Sequence, residues 1–238
     1  MPQIEESIPV LVTGGSSGIG AAIIEEFLRR GARVQSLSRS GKAPEGAVGI
    51  ACDVGDPPSM AAAFQEIEER FPEGLAHVVC STGVVSEHPI DELQPDEWRR
   101  VVDASLTGAY LTLHHAVPLM RRRGRASVVA MSSGWARRGY PTGAHYAAAK
   151  GGIESLVRSL ALELAKDRIR VNAVSPGPVV TPMLDDLPSF DASERADRIP
   201  LGRLGTVEDI VGATFFLLGA EADHITGQVL QVSGGLTV

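Results

Sequence analysis

The chain has 238 residues, 44% of them hydrophobic and 21% charged, and a formal net charge of −7. This composition excludes a disordered or fibrous polypeptide, and the acidic balance argues against a nucleic-acid partner, which needs a basic face to neutralise phosphates. One domain spanning 1–238 is expected, because sheet-and-helix folds reach this length around a single core.

The first residues carry Glu5 and Glu6 and lead straight into an apolar run, without the basic start or apolar stretch of a signal peptide. No apolar stretch is long enough for a membrane span, so a cytoplasmic protein with no membrane partner is expected. Apolar, β-branched runs then recur at 8–12, 33–37, 47–52, 75–80, 126–131, 168–174 and 228–232. Between them, helical periodicity marks 18–30, 57–71, 105–123, 144–167 and 207–219. Strands and helices that alternate in this way predict an α/β fold, a single-domain doubly wound Rossmann-type parallel sheet of seven strands with helices on both faces. Arg121, Arg122 and Arg123 precede Gly124 and read as the basic last turn of a helix with a glycine cap. Cys52 and Cys80 end apolar runs and read as buried, reduced thiols. The least patterned stretch, 182–200, is rich in Asp, Pro and Ser and reads as a substrate lid.

The first strand runs into Thr13-Gly14-Gly15-Ser16-Ser17-Gly18-Ile19-Gly20, followed at once by a helix. Glycines at this turn let backbone N–H groups and a helix N-terminus approach a pyrophosphate, the signature of a dinucleotide site. Asp53 ends the third strand, where it either accepts from an adenine amino group or caps the next turn. The second strand ends Ser38-Arg39, without the acid that selects the free ribose 2′-hydroxyl of NAD. A guanidinium beside a small serine suits a 2′-phosphate, so NADP(H) is the preferred cofactor and NAD(H) the alternative. Lys42 lies close by in sequence and either adds charge there or points to solvent.

Ser133 follows the fifth strand, Tyr146 comes thirteen residues later, and Lys150 stands one helical turn beyond, on the same helix face. A phenol with a pKa near ~10 needs a nearby cation to serve as an acid or base at neutral pH, and Lys150 is expected to supply it. Trp135 reads equally as a substrate wall or as core. His114 and His115 read as structural, His145 as surface or cleft mouth, and Arg137 with Arg138 as a solvated loop. No His, Cys or carboxylate spacing suggests a metal.

With these motifs in place, the chain resembles the short-chain dehydrogenase/reductase family, and within it the 3-oxoacyl-acyl-carrier-protein reductases. The resemblance runs from Ile8 onward. It takes in the glycine turn, Asp53, Ser133, Tyr146 and Lys150, then Asn172-Ala173-Val174-Ser175-Pro176-Gly177 with Thr181, and Ile225-Thr226-Gly227-Gln228 with Gly234-Gly235. It implies that Tyr146 is the acid/base, that Lys150 assists it and contacts the nicotinamide ribose, and that Ser133 polarises the substrate oxygen. It further implies that Gly14, Ser16, Ser17, Gly18, Ile19 and Gly20 line the pyrophosphate. Asp53 would meet the adenine, Val179 and Thr181 the nicotinamide amide, and Val54, Gly83, Pro176 and Gly177 would also bind the cofactor.

Two departures stand out. Cys80-Ser81-Thr82-Gly83 replaces the family's Asn-Asn-Ala-Gly, removing asparagine contacts that brace the strand, and Ser105 stands where an asparagine holds a relay water. A serine hydroxyl can still bind that water. The leading expectation is reduction of a ketone, a 3-oxoacyl thioester or a related small ketone. The alternatives are NAD-dependent oxidation of a secondary alcohol, or a weakly catalytic dinucleotide sensor or assembly subunit. A homotetramer is implied, paired through 105–123 and 144–167 and through the last strand with its preceding helix. Ile153, Leu156, Leu160 and Leu164 form an apolar stripe open to core or partner. Substrate identity would be set by 84–90, 135–143 and 182–200.

Overall fold

The computed structural model describes residues 7–187 and 191–237; residues 188–190 of the expected lid and the opening residues 1–6 lie outside them. Seven strands form one parallel sheet: β1 (Pro9–Thr13), β2 (Arg33–Ser38), β3 (Val48–Ala51), β4 (His77–Cys80), β5 (Ala126–Met131), β6 (Ile169–Pro176) and β7 (Val229–Val232). Their order is β3-β2-β1-β4-β5-β6-β7, and every neighbouring pair is parallel. Parallel strands need a crossover, and the helices supply it: α1 (Gly18–Arg29), α2 (Pro57–Arg70), α3 (Pro95–Val102), α4 (Gly108–Arg123), α5 (Trp135–Arg138), α6 (Ala144–Leu164), α7 (Ala192–Asp197) and α8 (Val207–Leu218).

The strands are apolar on both faces because helices cover both. Leu11, Val78, Val128 and Ala173 pack into one core with Met60 of α2, Leu111 of α4 and Ile153 of α6. Their strand neighbours Val12, Val79, Val129 and Val174 point the other way, against Ile23 and Phe27 of α1 and Phe215 of α8. Each such side chain contributes roughly 1.5–3 kcal/mol by leaving water, so the fully buried β1 and β5 anchor the sheet. Edge strand β3 is largely exposed, and the Gln35 amide reaches across to the Val48 carbonyl at 2.8 Å. Cys52 and Cys80 are free and buried.

The helix ends obey local chemistry. Asp56 caps α2 by accepting from the Ser59 N–H at 3.0 Å, Thr206 and Asp209 form a reciprocal cap on α8, and Gly124 ends α4 in the left-handed region. Two corrections arise. The helix expected at 105–123 begins at Pro95, continuing through a π-helical segment, Asp103–Thr107, into α4. α3 is short and half of it is charged, and of its apolar residues Trp98, Val101 and Val102 only Val101 is buried. The stretch 182–200 is less irregular than expected, since it carries a 3-10 turn at Pro182–Asp186 and then α7. Among the described residues no helix is long and apolar enough to cross a membrane.

Candidate active site

Between β1 and β4 the strand order reverses, so the connections leave in opposite directions and open a crevice at the carboxyl ends of the strands. A cleft of about 680 Å³ lies there, with the β1–α1 turn at one end and the β5–α6 junction at the other.

The first end is made of backbone. Gly14 has φ +73°, and a Cβ on it would meet the Ser81 and Thr82 backbone at 2.9 Å. A Cβ on Gly20 would lie 2.2 Å from the Gly14 carbonyl oxygen, so α1 and its preceding turn touch main chain to main chain. Ser17 caps α1 without a side-chain bond and no acid follows in the first turn, which leaves an electropositive helix start at Gly18, Ile19 and Gly20 in the cleft wall. Asp53 and Val54 also line the cleft. The Asp53 carboxylate accepts from the Gly55 N–H at 3.0 Å, so it caps the turn from within the wall. Ser38 donates to the Lys42 carbonyl at 3.1 Å and Arg39 is exposed at the rim, whereas Lys42 is not in the wall. The Thr82 hydroxyl is buried in this wall without a hydrogen-bond partner among the described residues. Open glycine backbone, a bare helix start and an orphaned hydroxyl fit a dinucleotide.

At the other end, α6 grips the end of β5 at successive turns. Tyr146 meets the Ser133 hydroxyl, the Lys150 ammonium donates to the Met131 carbonyl at 2.9 Å, and Glu154 accepts from the Ser132 hydroxyl at 2.9 Å. Ser133, Tyr146 and Lys150 are all less than a tenth exposed. Burial pushes the Tyr146 phenol up to about 12, an effect the Ser133 hydrogen bond opposes. Burial pushes Lys150 down to about 8. The ammonium sits 5.7 Å from the Tyr146 ring centroid, because a buried cation takes the strand carbonyl within reach.

Two further residues differ from expectation. His145 is fully buried rather than at the surface or mouth. Ser86 donates to Glu97, so the His145 Nε2–H donates to the Ser86 oxygen at 2.9 Å, and the 84–90 loop closes over the ring. Arg137 and Arg138 lie on short helix α5 rather than in a loop, with Arg138 in the cleft wall. Trp135 is half-buried in that wall, stacked on Tyr140 with ring centroids 3.8 Å apart and planes at 1°.

A family model described as enoyl-(acyl carrier protein) reductase matches residues 14–237. The chain belongs to the short-chain dehydrogenase/reductase family. It is similar to the 3-oxoacyl-acyl-carrier-protein reductase MabA of Mycobacterium avium, with 33% identity over 95% of this chain and 89% of that protein. It is 35% identical to a cis-4-hydroxycyclohexanecarboxylate dehydrogenase of Sinomonas cyclohexanicum, over 95% of each chain. The crystal structure of a 3-ketoacyl-(acyl-carrier-protein) reductase from Brucella melitensis complexed with NADH superposes with a TM-score of 0.90 at 29% identity, covering 98% of this chain and 99% of that one. The protein is thus an oxidoreductase that interconverts CH–OH and C=O groups with a nicotinamide dinucleotide.

Within this short-chain dehydrogenase/reductase, the late motifs serve the frame of the cleft. Asn172 donates to the Ile225 carbonyl at 2.9 Å and accepts from the Gln228 N–H at 3.0 Å, tying β6 to the turn before β7. Pro176, Gly177, Val179 and Thr181 then leave β6 along the cleft wall. Where the family's asparagines are missing after β4, the Thr13 hydroxyl oxygen accepts from the Ser81 N–H at 3.2 Å and supplies a brace. Gly83 lines the cleft, and Ser105 is not in its wall. A Cβ on Gly83 would be 3.2 Å from the Lys150 ammonium and 3.4 Å from the Ser105 hydroxyl, which is buried and without a partner among the described residues. Thr82, Asp103, Leu187, Arg195 and Thr237 also line the cleft, though sequence reasoning named none of them individually as a site residue. Thr82 lies in the altered stretch after β4, Leu187 and Arg195 in the expected lid, and Thr237 close after Gly234-Gly235.

Proposed function

We propose that the protein is an NADP(H)-dependent reductase of a small ketone, a 3-oxoacyl thioester or a related compound. The observation that carries this reading is the meeting of Ser133, Tyr146 and Lys150 in one buried corner of a cleft whose far end suits a dinucleotide. The dinucleotide, when bound, supplies a hydride to the carbonyl carbon. The Ser133 hydroxyl holds the carbonyl oxygen, and the Tyr146 phenol gives its proton to that oxygen as negative charge develops there. The phenol is protonated at neutral pH, and burial raises its pKa further, which suits proton donation in reduction; oxidation needs that proton removed first. Lys150, pinned by the Met131 carbonyl, presents its charge below the phenol and contacts the nicotinamide ribose. Ser105 reaches the same corner from behind Gly83 and holds a relay water.

Ser38 and Arg39 support the NADP(H) preference, since Arg39 lines the cleft without a carboxylate partner among the described residues. A second reading, NAD-dependent oxidation of a secondary alcohol, is favoured by the similarity to the Sinomonas dehydrogenase and by the NADH in the Brucella structure. The stretch 182–200 serves as the lid. Self-association as a tetramer is supported by large exposed apolar side chains on three helices, Tyr110, Leu162 and Phe216. Among the described residues no cluster of His, Cys, Asp or Glu could hold a metal. The deciding experiment follows nicotinamide absorbance with NADPH and NADH over a panel of ketones and alcohols. Faster turnover of NADPH with a ketone is expected; preference for NADH, or for alcohol with NAD, selects the second reading, and light scattering reads the assembly.

A further inference from the structure

Acidic residues outnumber basic ones by 29 to 22, so most arginines of this chain find a carboxylate. Arg99 pairs with Asp96, Arg121 with Asp167 and Arg203 with Asp209. Four arginines line the cleft. Arg100 is paired with Glu97, whereas Arg39, Arg138 and Arg195 have no carboxylate partner among the described residues. Arg39 lies at the end already assigned to the dinucleotide. The other two stand at the opposite end, beside the reacting tyrosine.

We infer that the substrate carries a carboxylate, received by Arg138 and Arg195 at the aromatic mouth of the cleft. This rests on the proposed ketone or alcohol chemistry and names its substrate class. Arg138 follows Trp135 by three residues on α5 and so shares its face. One of its N–H groups donates to the Leu236 carbonyl at 3.3 Å, which steadies the guanidinium and leaves other donors free. Arg195 comes from α7 in the lid, and its charge acts on the Tyr140 phenol. Tyr140 stacks on Trp135, and both rings stand edge-on to Tyr146, with centroids 6.4 Å and 6.1 Å away. Both arginines thus line the cleft that holds this aromatic plate, which meets the acid/base edge-on.

A compact apolar substrate lying on that plate places its far end between the arginines. A carboxylate there gains charge-assisted, two-pronged hydrogen bonds, which a neutral ester cannot supply. The Glu87 carboxylate accepts from the Tyr140 hydroxyl and so adds a negative charge beside this plate. With its negative charge beside two guanidiniums, the mouth suits a monoanion better than a phosphate dianion.

The test compares kcat/KM for 4-oxopentanoate and 4-oxocyclohexanecarboxylate, each against its methyl ester, with acetoacetyl-coenzyme A as a phosphate-bearing ketone. The proteins are the parent, Arg138→Ala, Arg195→Ala, the double variant and Arg137→Ala, whose exposed side chain is outside the cleft wall. The parent should favour the acid over the ester by about tenfold to a hundredfold, the range of a charge-assisted hydrogen bond. The ratio should fall to near unity in the double variant and persist in Arg137→Ala. Equal use of acid and ester, or a ratio unmoved by the double change, overturns the inference while leaving ketone reduction intact. So does arginine dependence seen with the coenzyme A thioester alone, which would make phosphate the anion. If no ketone or alcohol turns over, the proposed reaction fails instead. Quenching of tryptophan fluorescence by cyclohexanecarboxylate against cyclohexanecarboxamide, on dinucleotide-saturated protein, then still decides. Arginine-dependent binding of the acid alone supports the inference, and equal or absent binding overturns it.

Discussion

The two ends of the cleft are built by opposite means. The dinucleotide end is main chain against main chain, with Gly14 and Gly20 packed so tightly that neither admits a Cβ. The substrate end is side chain against side chain, a stack of Trp135 on Tyr140 carried by helix α5 and the loop after it, and Arg195 on a second short helix. A backbone-built site tolerates little change and recognises what all its ligands share. A side-chain site can be altered residue by residue, which is where substrate choice resides.

That contrast can be broken most forcefully at the junction of the two ends. Tyr146→Phe removes the transferable proton while keeping the ring, so kcat should fall by about 10²–10⁴-fold with dinucleotide affinity unchanged, as measured by steady-state kinetics and calorimetry. Comparable turnover would remove the tyrosine from the mechanism. Next in size, Gly20→Ala should destabilise the fold by about 2–3 kcal/mol and abolish dinucleotide binding, because its Cβ would lie 2.2 Å from the Gly14 carbonyl oxygen. Its counterpart is Gly139→Ala at the substrate end, where φ is +77° but nothing lies within 4 Å. That change should cost about 1–3 kcal/mol in a denaturant melt, from backbone strain alone, and leave dinucleotide binding intact.

Arg39→Ala should lower kcat/KM for NADPH roughly tenfold and leave NADH nearly unaffected, in line with a charge-assisted phosphate contact. An equal loss with both would show that Arg39 does not discriminate the 2′-phosphate. Trp135→Ala should raise KM for the ketone several-fold, with little effect on the dinucleotide, since one face of the aromatic plate is lost. The smallest effect concerns stability and its pH dependence. Burial lowers Lys150 from 10.5 to about 8, so the folded protein binds fewer protons than the unfolded chain between those values and gains stability as pH rises through them. Lys150→Met should therefore melt at or above the parent at pH 7, and lose that relative advantage as pH climbs from about 8 toward 10.5. A gap that widens with pH would reverse the sign of the argument.

Much of the dinucleotide end was legible because its signal is local. A glycine turn between an apolar strand and a helix can be read within eight residues, Thr13 to Gly20. The pairing of Tyr146 with Lys150 was equally local, being one turn of helix. What Lys150 does with its charge was not, since the Met131 carbonyl that receives it belongs to another strand. His145 was misplaced for a similar reason: the helix position next to Tyr146 points elsewhere, but the 84–90 loop and Glu97 supply a buried partner there. The start of the helix at Pro95 escaped because α3 is short and half of it is charged, so Trp98, Val101 and Val102, although at helical spacing, make too brief a stripe to stand out.

The sequence by itself determined the alternation of strands and helices, the parallel sheet, the dinucleotide turn and the Ser133, Tyr146 and Lys150 set. Each depends on side-chain period or on a spacing of a few residues, and such patterns survive in one dimension. Tertiary structure alone decided that Ser105 stands behind Gly83 rather than in the cleft wall, that the Lys150 ammonium binds the Met131 carbonyl, and that Arg138 and Arg195 both line the cleft. Those facts depend on distances between segments far apart in the chain. Packing sets such distances, because a buried charge or hydroxyl takes whichever partner the fold brings within reach.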